Sequence, residues 1–263
     1  MISALRSAFF ADDRAPASPL ARAASFALAL GLLSLVCSGA LAALSYHWSW
    51  GPVWDFRRLF WNGWLTTIGI AALALPLSCL LGLAFALLRR SSFLPLRYVA
   101  RIYVEITRGT PLLVQIYFYW YIFGQQLPRD SRFLAGAVIL SLFSGAYLSE
   151  IIRAGIDGVG RSQLESARAI GFTRTQTYRY VIFPQALRRI LPPFAGEFAS
   201  IIKNSSLLSV LGIEEFALAA GTVSSQTYSY FESYLPVALG YLLLTLPISL
   251  WTQSLEKRAR FET

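Results

Sequence analysis

ESARAIGFTRTQTYRYVIFP, residues 165–184, carries four Arg/Glu charges and six hydroxyl side chains inside a chain that is otherwise mostly apolar. Its punctuation is dense. Ser162-Gln163-Leu164-Glu165 fits a capping box, in which a hydroxyl takes an orphan helix amide and a carboxylate three residues on reaches back. Leu164, Ala167 and Ile170 then recur near one face, and Gly171 stands where a helix C-cap needs positive φ. Thr173-Arg174-Thr175-Gln176 is a second capping box. Its helix is expected to run past Tyr178 and Val181 until Pro184 stops it. The stretch thus predicts helix, glycine turn, helix, proline: a compact knob too short and polar to cross a membrane. Taken alone, this pattern fits both an amphipathic hairpin lying on a bilayer and a docking element for a partner's groove.

The surroundings are those of a polytopic membrane protein. Of the 263 residues 56% are hydrophobic and 14% charged, where soluble domains carry about 25% charged residues. Uncharged or nearly uncharged runs cover Ala23–Tyr46, Trp64–Leu88, Gly109–Pro128, Phe133–Ser149 and Ser233–Leu255. At a rise of about 1.5 Å per residue, runs near 20 residues cross a hydrocarbon core of about 30 Å. Ile190–Gly212, interrupted by Glu197 and Lys203, is a weaker sixth. An all-α membrane fold is expected, with a tail at 1–22, a first span at 23–46 and the rest following from residue 60.

Arginine and lysine positions supply an orientation. With six spans, the tails and even-numbered loops hold 17 Lys/Arg against four in the odd-numbered loops, Arg57, Arg58, Arg129 and Arg132. By the positive-inside rule both termini and the segment 153–189 are expected in the cytoplasm. The alternation also requires the weak span over 190–212. The net charge of +9 then reflects topology and contact with anionic lipid rather than nucleic-acid binding. The first apolar run, followed by Ala40-Leu41-Ala42, could be read as a signal peptide; its length and Asp12-Asp13 favour a retained span.

Several chemistries find no support. No Gly-x-x-x-x-Gly-Lys-Ser/Thr occurs, so ATP cannot be held here in the P-loop manner. His47 is the only histidine and reads as an interfacial residue beside Trp48 and Trp50. Cys37 and Cys79 lie in separate spans and give neither metal signature nor disulfide framework. The block Tyr117–Tyr121 reads as an interfacial aromatic belt. Charges within or at the ends of spans are functional candidates by default. Glu105 with Arg108, and Glu150 with Arg153, have the spacing of structural pairs. Glu197 and Lys203, six apart, do not share a helix face. They read either as inter-helix salt-bridge partners or as lining of a translocation path, with Asn204 and Ser205 beside them. Pro192-Pro193 are expected to loosen the helix that carries them.

Glu165-Ser166-Ala167, Gly171 and Ile182-Phe183-Pro184 resemble the EAA signature of ABC-transporter membrane subunits, with Ser166 and Phe183 as mild departures. Asn62-Gly63-Trp64, Glu105-Ile106-Thr107-Arg108-Gly109-Thr110-Pro111, Tyr147–Gly155, Pro184-Gln185-Ala186 and Lys203-Asn204-Ser205-Ser206-Leu207 are similar to the branch that imports polar amino acids. The likeness spans about residues 60–258. It implies a five-span type I importer core plus one extra N-terminal helix, and a coupling-helix pair within about 153–189. It further implies a bacterial inner-membrane location, no cofactor on this chain, and ATP with Mg on a partner ATPase dimer. A second permease subunit and an extracytoplasmic binding protein would complete the assembly. The coupling residues it implies are Glu165, Ser166, Ala167, Arg168, Gly171, Phe172 and Pro184; Gly171→Asp, or loss of 163–184, would then abolish ATP-driven transport and leave membrane insertion intact. The competing readings are a gradient-driven secondary transporter using Glu197 and Lys203, and a membrane enzyme or scaffold.

Overall fold

The computed structural model describes residues 19–43, 46–124, 126, 128 and 131–260. The expected tail therefore lies, through residue 18, outside the described residues. The chain divides into two compact units, residues 1–49 and 50–263. In the first, α1 (Pro19–Ala43) is apolar around its whole circumference, with Leu20, Leu32, Leu35 and Val36 exposed, as a lipid-facing helix requires.

The second unit is built of helices and contains no strand among its described residues. It comprises α2 (Gly51–Asp55), α3 (Arg57–Leu88), α4 (Leu94–Gly109), α5 (Leu112–Tyr119), α6 (Arg132–Asp157), α7 (Arg161–Ala169), α8 (Arg174–Thr177), α9 (Phe183–Asn204), α10 (Phe216–Thr227) and α11 (Tyr230–Arg260). Helices α1, α3, α6 and α11 are long and apolar enough to cross a membrane. A fifth crossing is made if the run 174–211 and α10, bent by 48°, count as one.

The centre is α3 against α6, which run side by side in the same direction. The Ser141 hydroxyl donates to the Ala74 carbonyl, Arg89 bonds Glu150 at 2.6 Å and Arg90 bonds Asp157 at 2.8 Å. The buried face of α3 reads Gly63, Thr67, Ile70, Ala74, Ser78, Gly82 and Ala86, at helical spacing and mostly small. In lipid no hydrophobic force drives helices together, so close approach through small residues supplies the attraction. A Cβ on Gly82 would stand 2.6 Å from that of Leu148, and one on Gly145 would stand 2.9 Å from that of Leu81. Gly82→Val is therefore expected to cost about 1–3 kcal/mol by overpacking. It should lower the thermal midpoint in detergent, whereas Gly39→Val in α1, with nothing within 4 Å, leaves it unchanged.

Three expectations are corrected here. The apolar run at 109–128 is not one continuous helix: Thr110 and Pro111 are extended, and only α5 with a π-turn at Trp120–Gly124 follows. Proline forces its predecessor out of the helical region. Gln115 repairs the break, donating from Nε2 to the Thr107 carbonyl at 2.7 Å and to Thr110 Oγ1 at 2.8 Å. The span expected at 190–212 begins earlier, at Phe183, and tightens into a 3₁₀ segment at Ser205–Leu211. Pro192 and Pro193, expected near the start of their helix, instead lie well inside a continuous α9, with Pro192 buried in the bundle, where neighbouring helices can compensate for the lost amides.

Candidate functional site

Helices α6 and α9 form an antiparallel pair: Gly155 packs against Ile190, and Ser144 lies beside Glu197. The segment 158–184 forms the tip of this pair. Helix α7 starts from Gly160, without a side-chain cap. The capping box expected at Ser162 is thus not formed, because the helix begins one residue before it. Its C-terminus closes as expected. Gly171 has φ +79°, its N–H donates to the Arg168 carbonyl, and the Phe172 N–H reaches back to the Ala167 carbonyl. These paired bonds are the Schellman arrangement, which needs a residue at ease with positive φ. The capping box at Thr173 is present in full: Thr173 Oγ1 accepts from the Gln176 amide, and Gln176 Oε1 accepts from the Thr173 amide at 2.8 Å.

Pro184 does not stop the second helix. The backbone steps through a π-segment at Tyr178–Ile182, with the Phe183 N–H bonding the Tyr178 carbonyl five residues back. This register shift makes room for a ring that lacks an N–H, since a π-bulge relieves the i−4 demand. Residues 174–211 consequently form one helical run, a continuous lever from the knob into the bundle.

The knob has its own core. Val159, Ile182 and Ala186 are buried together, with Ile156, Leu164 and Ile190 against them, and the Arg189 guanidinium donates to the Gly158 carbonyl. Ala167 is 2% exposed. Glu165, Ser166 and Arg168 face outward from α7, and Glu165 has no ion-pair partner among the described residues. Phe172 is half-buried against Tyr180, ring centres 6.1 Å apart. Ile170, Tyr178, Tyr180 and Phe183 leave apolar surface exposed beside them. The arrangement is a compact peg with polar and apolar surface exposed side by side.

At the same end of the bundle lies a charge cluster. Glu150 accepts from Arg89 and Arg153 and stands 3.8 Å from Arg108, while Asp157 accepts from Arg90 and Arg153. The expected Glu150–Arg153 pair is present. The Glu105–Arg108 pair is not: Glu105 points outward, and Arg108 crosses to Glu150 and the Tyr147 ring, because α4 presents it to α6.

The second group of candidates lies inside the bundle. One Glu197 carboxylate oxygen and the Ser144 hydroxyl are buried beside each other without a well-formed hydrogen bond, and the Ser149 hydroxyl on α6 is buried without a partner among the described residues. Neither Glu197 nor Lys203 forms a salt bridge among the described residues, so the inter-helix pairing is not made. Lys203 is exposed, Asn204 half-buried, and Ser205 buried with its hydroxyl on the Ile202 carbonyl and beside Tyr241 of α11.

Sequence reasoning missed Glu215. It is fully buried and accepts from the Ala217 and Leu218 amides at 2.9 and 2.7 Å, from Tyr241 Oη at 2.8 Å and from Thr67 Oγ1 at 3.4 Å. The Phe216 amide in turn donates to Thr67. One carboxylate therefore caps α10 and ties it to α3 and α11. Gly63 makes this possible: its Cα approaches the Glu215 carbonyl where a Cβ would meet it at 3.0 Å.

Residues 74–261 match the family described as binding-protein-dependent transport system inner membrane component. The chain belongs to that family. It is 37% identical over 206 residues to the probable glutamine ABC transporter permease protein GlnM of Bacillus subtilis (strain 168), covering 78% of this chain and 95% of that one. It is 31% identical over 239 residues to the glutamate/aspartate import permease protein GltJ of Escherichia coli (strain K12), covering 82% and 97%. A crystal structure of an amino acid ABC transporter with histidines superposes with TM-score 0.74 at 38% identity, over 81% of this chain and all of that one. This permease is therefore an integral membrane transport subunit of the ABC type, and its knob carries the stretch that resembles the EAA signature.

Proposed function

We propose that this permease subunit forms the translocation path of an ATP-driven importer for a polar amino acid, glutamine and the acidic amino acids being the first solutes to test. Both termini and the knob lie on the cytoplasmic side of a bacterial inner membrane. Residues 161–184 dock into a cleft of a separate ATPase dimer, which holds ATP and Mg. A second permease subunit completes the path, and an extracytoplasmic binding protein delivers the solute. Glu165, Ser166, Arg168 and Phe172 make the docking face, Ala167 and Gly171 hold its shape, and Pro184 lies where the knob joins the lever.

The observation that carries this reading is the peg itself, folded around its own apolar core at the tip of the α6–α9 pair. Because 174–211 is one helical run, a pull on the peg moves the helix bearing Glu197. The buried carboxylate oxygen of Glu197 and the neighbouring Ser144 and Ser149 hydroxyls fit a polar path through the bundle, since such groups are retained in membranes where they face a cavity or the interior. Lys203 and Asn204 continue that path towards the opposite end of α9.

The test is uptake of labelled glutamine, glutamate and aspartate into proteoliposomes holding the permease, an ATPase and a binding protein. ATP-dependent uptake is expected, falling at least tenfold in Glu197→Leu at unchanged assembly. Uptake driven by an ion gradient in the permease alone would overturn the proposal.

A further inference from the structure

Near the first turns of α3 an apolar groove of about 340 Å³ opens, bounded by Trp54, Arg57, Trp61, Trp64, Phe216 and Leu243. We propose that it is a binding site for one anionic phospholipid, with an acyl chain in the groove and the phosphate on Arg57. The inference rests on the membrane setting and not on the transported solute, so its failure would leave the import reading intact.

Three observations converge. First, the walls are carbon, drawn from α2, the start of α3, the start of α10 and the N-terminal half of α11, and α3 and α11 are of membrane-crossing length. A groove of this kind facing a bilayer is filled by hydrocarbon, because water gains no hydrogen bonds there. Its inner wall is fixed by close contact: a Cβ on Gly240 would meet the Phe216 ring at 2.3 Å.

Second, the rim is charged. The Arg57 guanidinium sits 5.1 Å from the Trp54 ring centre and donates to the Trp54 carbonyl at 2.9 Å. No acid lies within ion-pair distance of it among the described residues; Asp55 and Arg58 are its nearest charged neighbours in the chain. A guanidinium carries five N–H donors, so the carbonyl leaves most of them for a phosphate, which the fork geometry suits.

Third, the indoles are placed for a headgroup boundary. Trp61 and Trp64 lie 5.4 Å apart at 31°, and Trp54 is 70% exposed. Tryptophans concentrate at the level where acyl chains meet headgroups. The Arg57 charge would then stand at phosphate depth with the groove running below it. Charge selects the headgroup and shape admits the chain.

Native mass spectrometry of the full-length permease in detergent, titrated with phosphatidylglycerol or with phosphatidylcholine of the same chains, tests this. One phosphatidylglycerol is expected to bind about fivefold more tightly than phosphatidylcholine, the preference one near-surface cation supplies. Arg57→Gln should abolish that preference. Leu243→Trp, at a position 66% exposed, fills the groove and should weaken both lipids at this site, with thermal midpoints of both variants unchanged. Equal affinity for the two lipids in the natural protein, or a preference that survives Arg57→Gln, would overturn the proposal.

Discussion

Gly171→Val is expected to lower ATP-driven uptake by at least tenfold while the permease still inserts, folds and reaches normal levels. The reasoning is conformational. At φ +79° a β-branched residue is strained by about 1–3 kcal/mol, enough to open the two Schellman bonds from Gly171 to Arg168 and from Phe172 to Ala167. An added Cβ would meet nothing within 4 Å, so the damage stays in the turn and does not spread into the bundle. The angle between α7 and α8 is lost, and with it the shape offered by Glu165, Arg168 and Phe172. Asparagine tolerates the left-handed region, so Gly171→Asn should keep most of the uptake. Parallel measurements of uptake, ATPase co-purification and thermal midpoint distinguish a coupling defect from misfolding. A fully active Gly171→Val permease would mean that the turn does not set the docking geometry.

The second large effect is on stability. Glu215→Ala should destabilise the permease by about 3 kcal/mol. A lost helix cap costs about 1 kcal/mol, and donors left buried without an acceptor cost about 1–3 kcal/mol. Tyr241 Oη loses its acceptor, Thr67 loses a second partner, and the first turn of α10 loses its carboxylate. Glu215→Gln keeps one acceptor oxygen and should lose less than half as much. The measurement is thermal unfolding in detergent. Since α10 follows the 48° bend, proteolysis around residues 212–216 should accelerate in the alanine variant before the rest of the bundle yields.

The opening stretch shows what a sequence makes legible. Gly171 and the Thr173–Gln176 box could be read directly, because each is a local device whose partners lie within five residues. The long helices could be read because uncharged length alone decides them. Pro184 misled because the rule that proline ends a helix assumes an unbroken i−4 ladder, and the π-segment at 178–182 removes that assumption. The break at Thr110-Pro111 was hidden inside a hydropathic run, although the proline was visible and Gln115 was the remaining clue. Glu215 carried no comparable signal. Glutamate is not a favoured N-cap residue, its neighbour Glu214 is exposed, and its partners Thr67 and Tyr241 stand 148 and 26 residues away. Long-range partners also decide Arg108, whose nearby acid Glu105 suggested a pair that the packing of α4 on α6 replaces with Glu150.

If the exposed peg at 161–184 is held by a separate ATPase inside the cell, crosslinking from its surface captures that ATPase directly. Glu165→Cys, in a permease with Cys37 and Cys79 replaced by serine, is treated in intact cells with a short membrane-permeable bis-maleimide, with the ATPase co-expressed. The expected result is one dominant product joining residue 165 to the ATPase. Labelling of residue 165 by an impermeant maleimide added outside the cells, with no ATPase product, would contradict the claim.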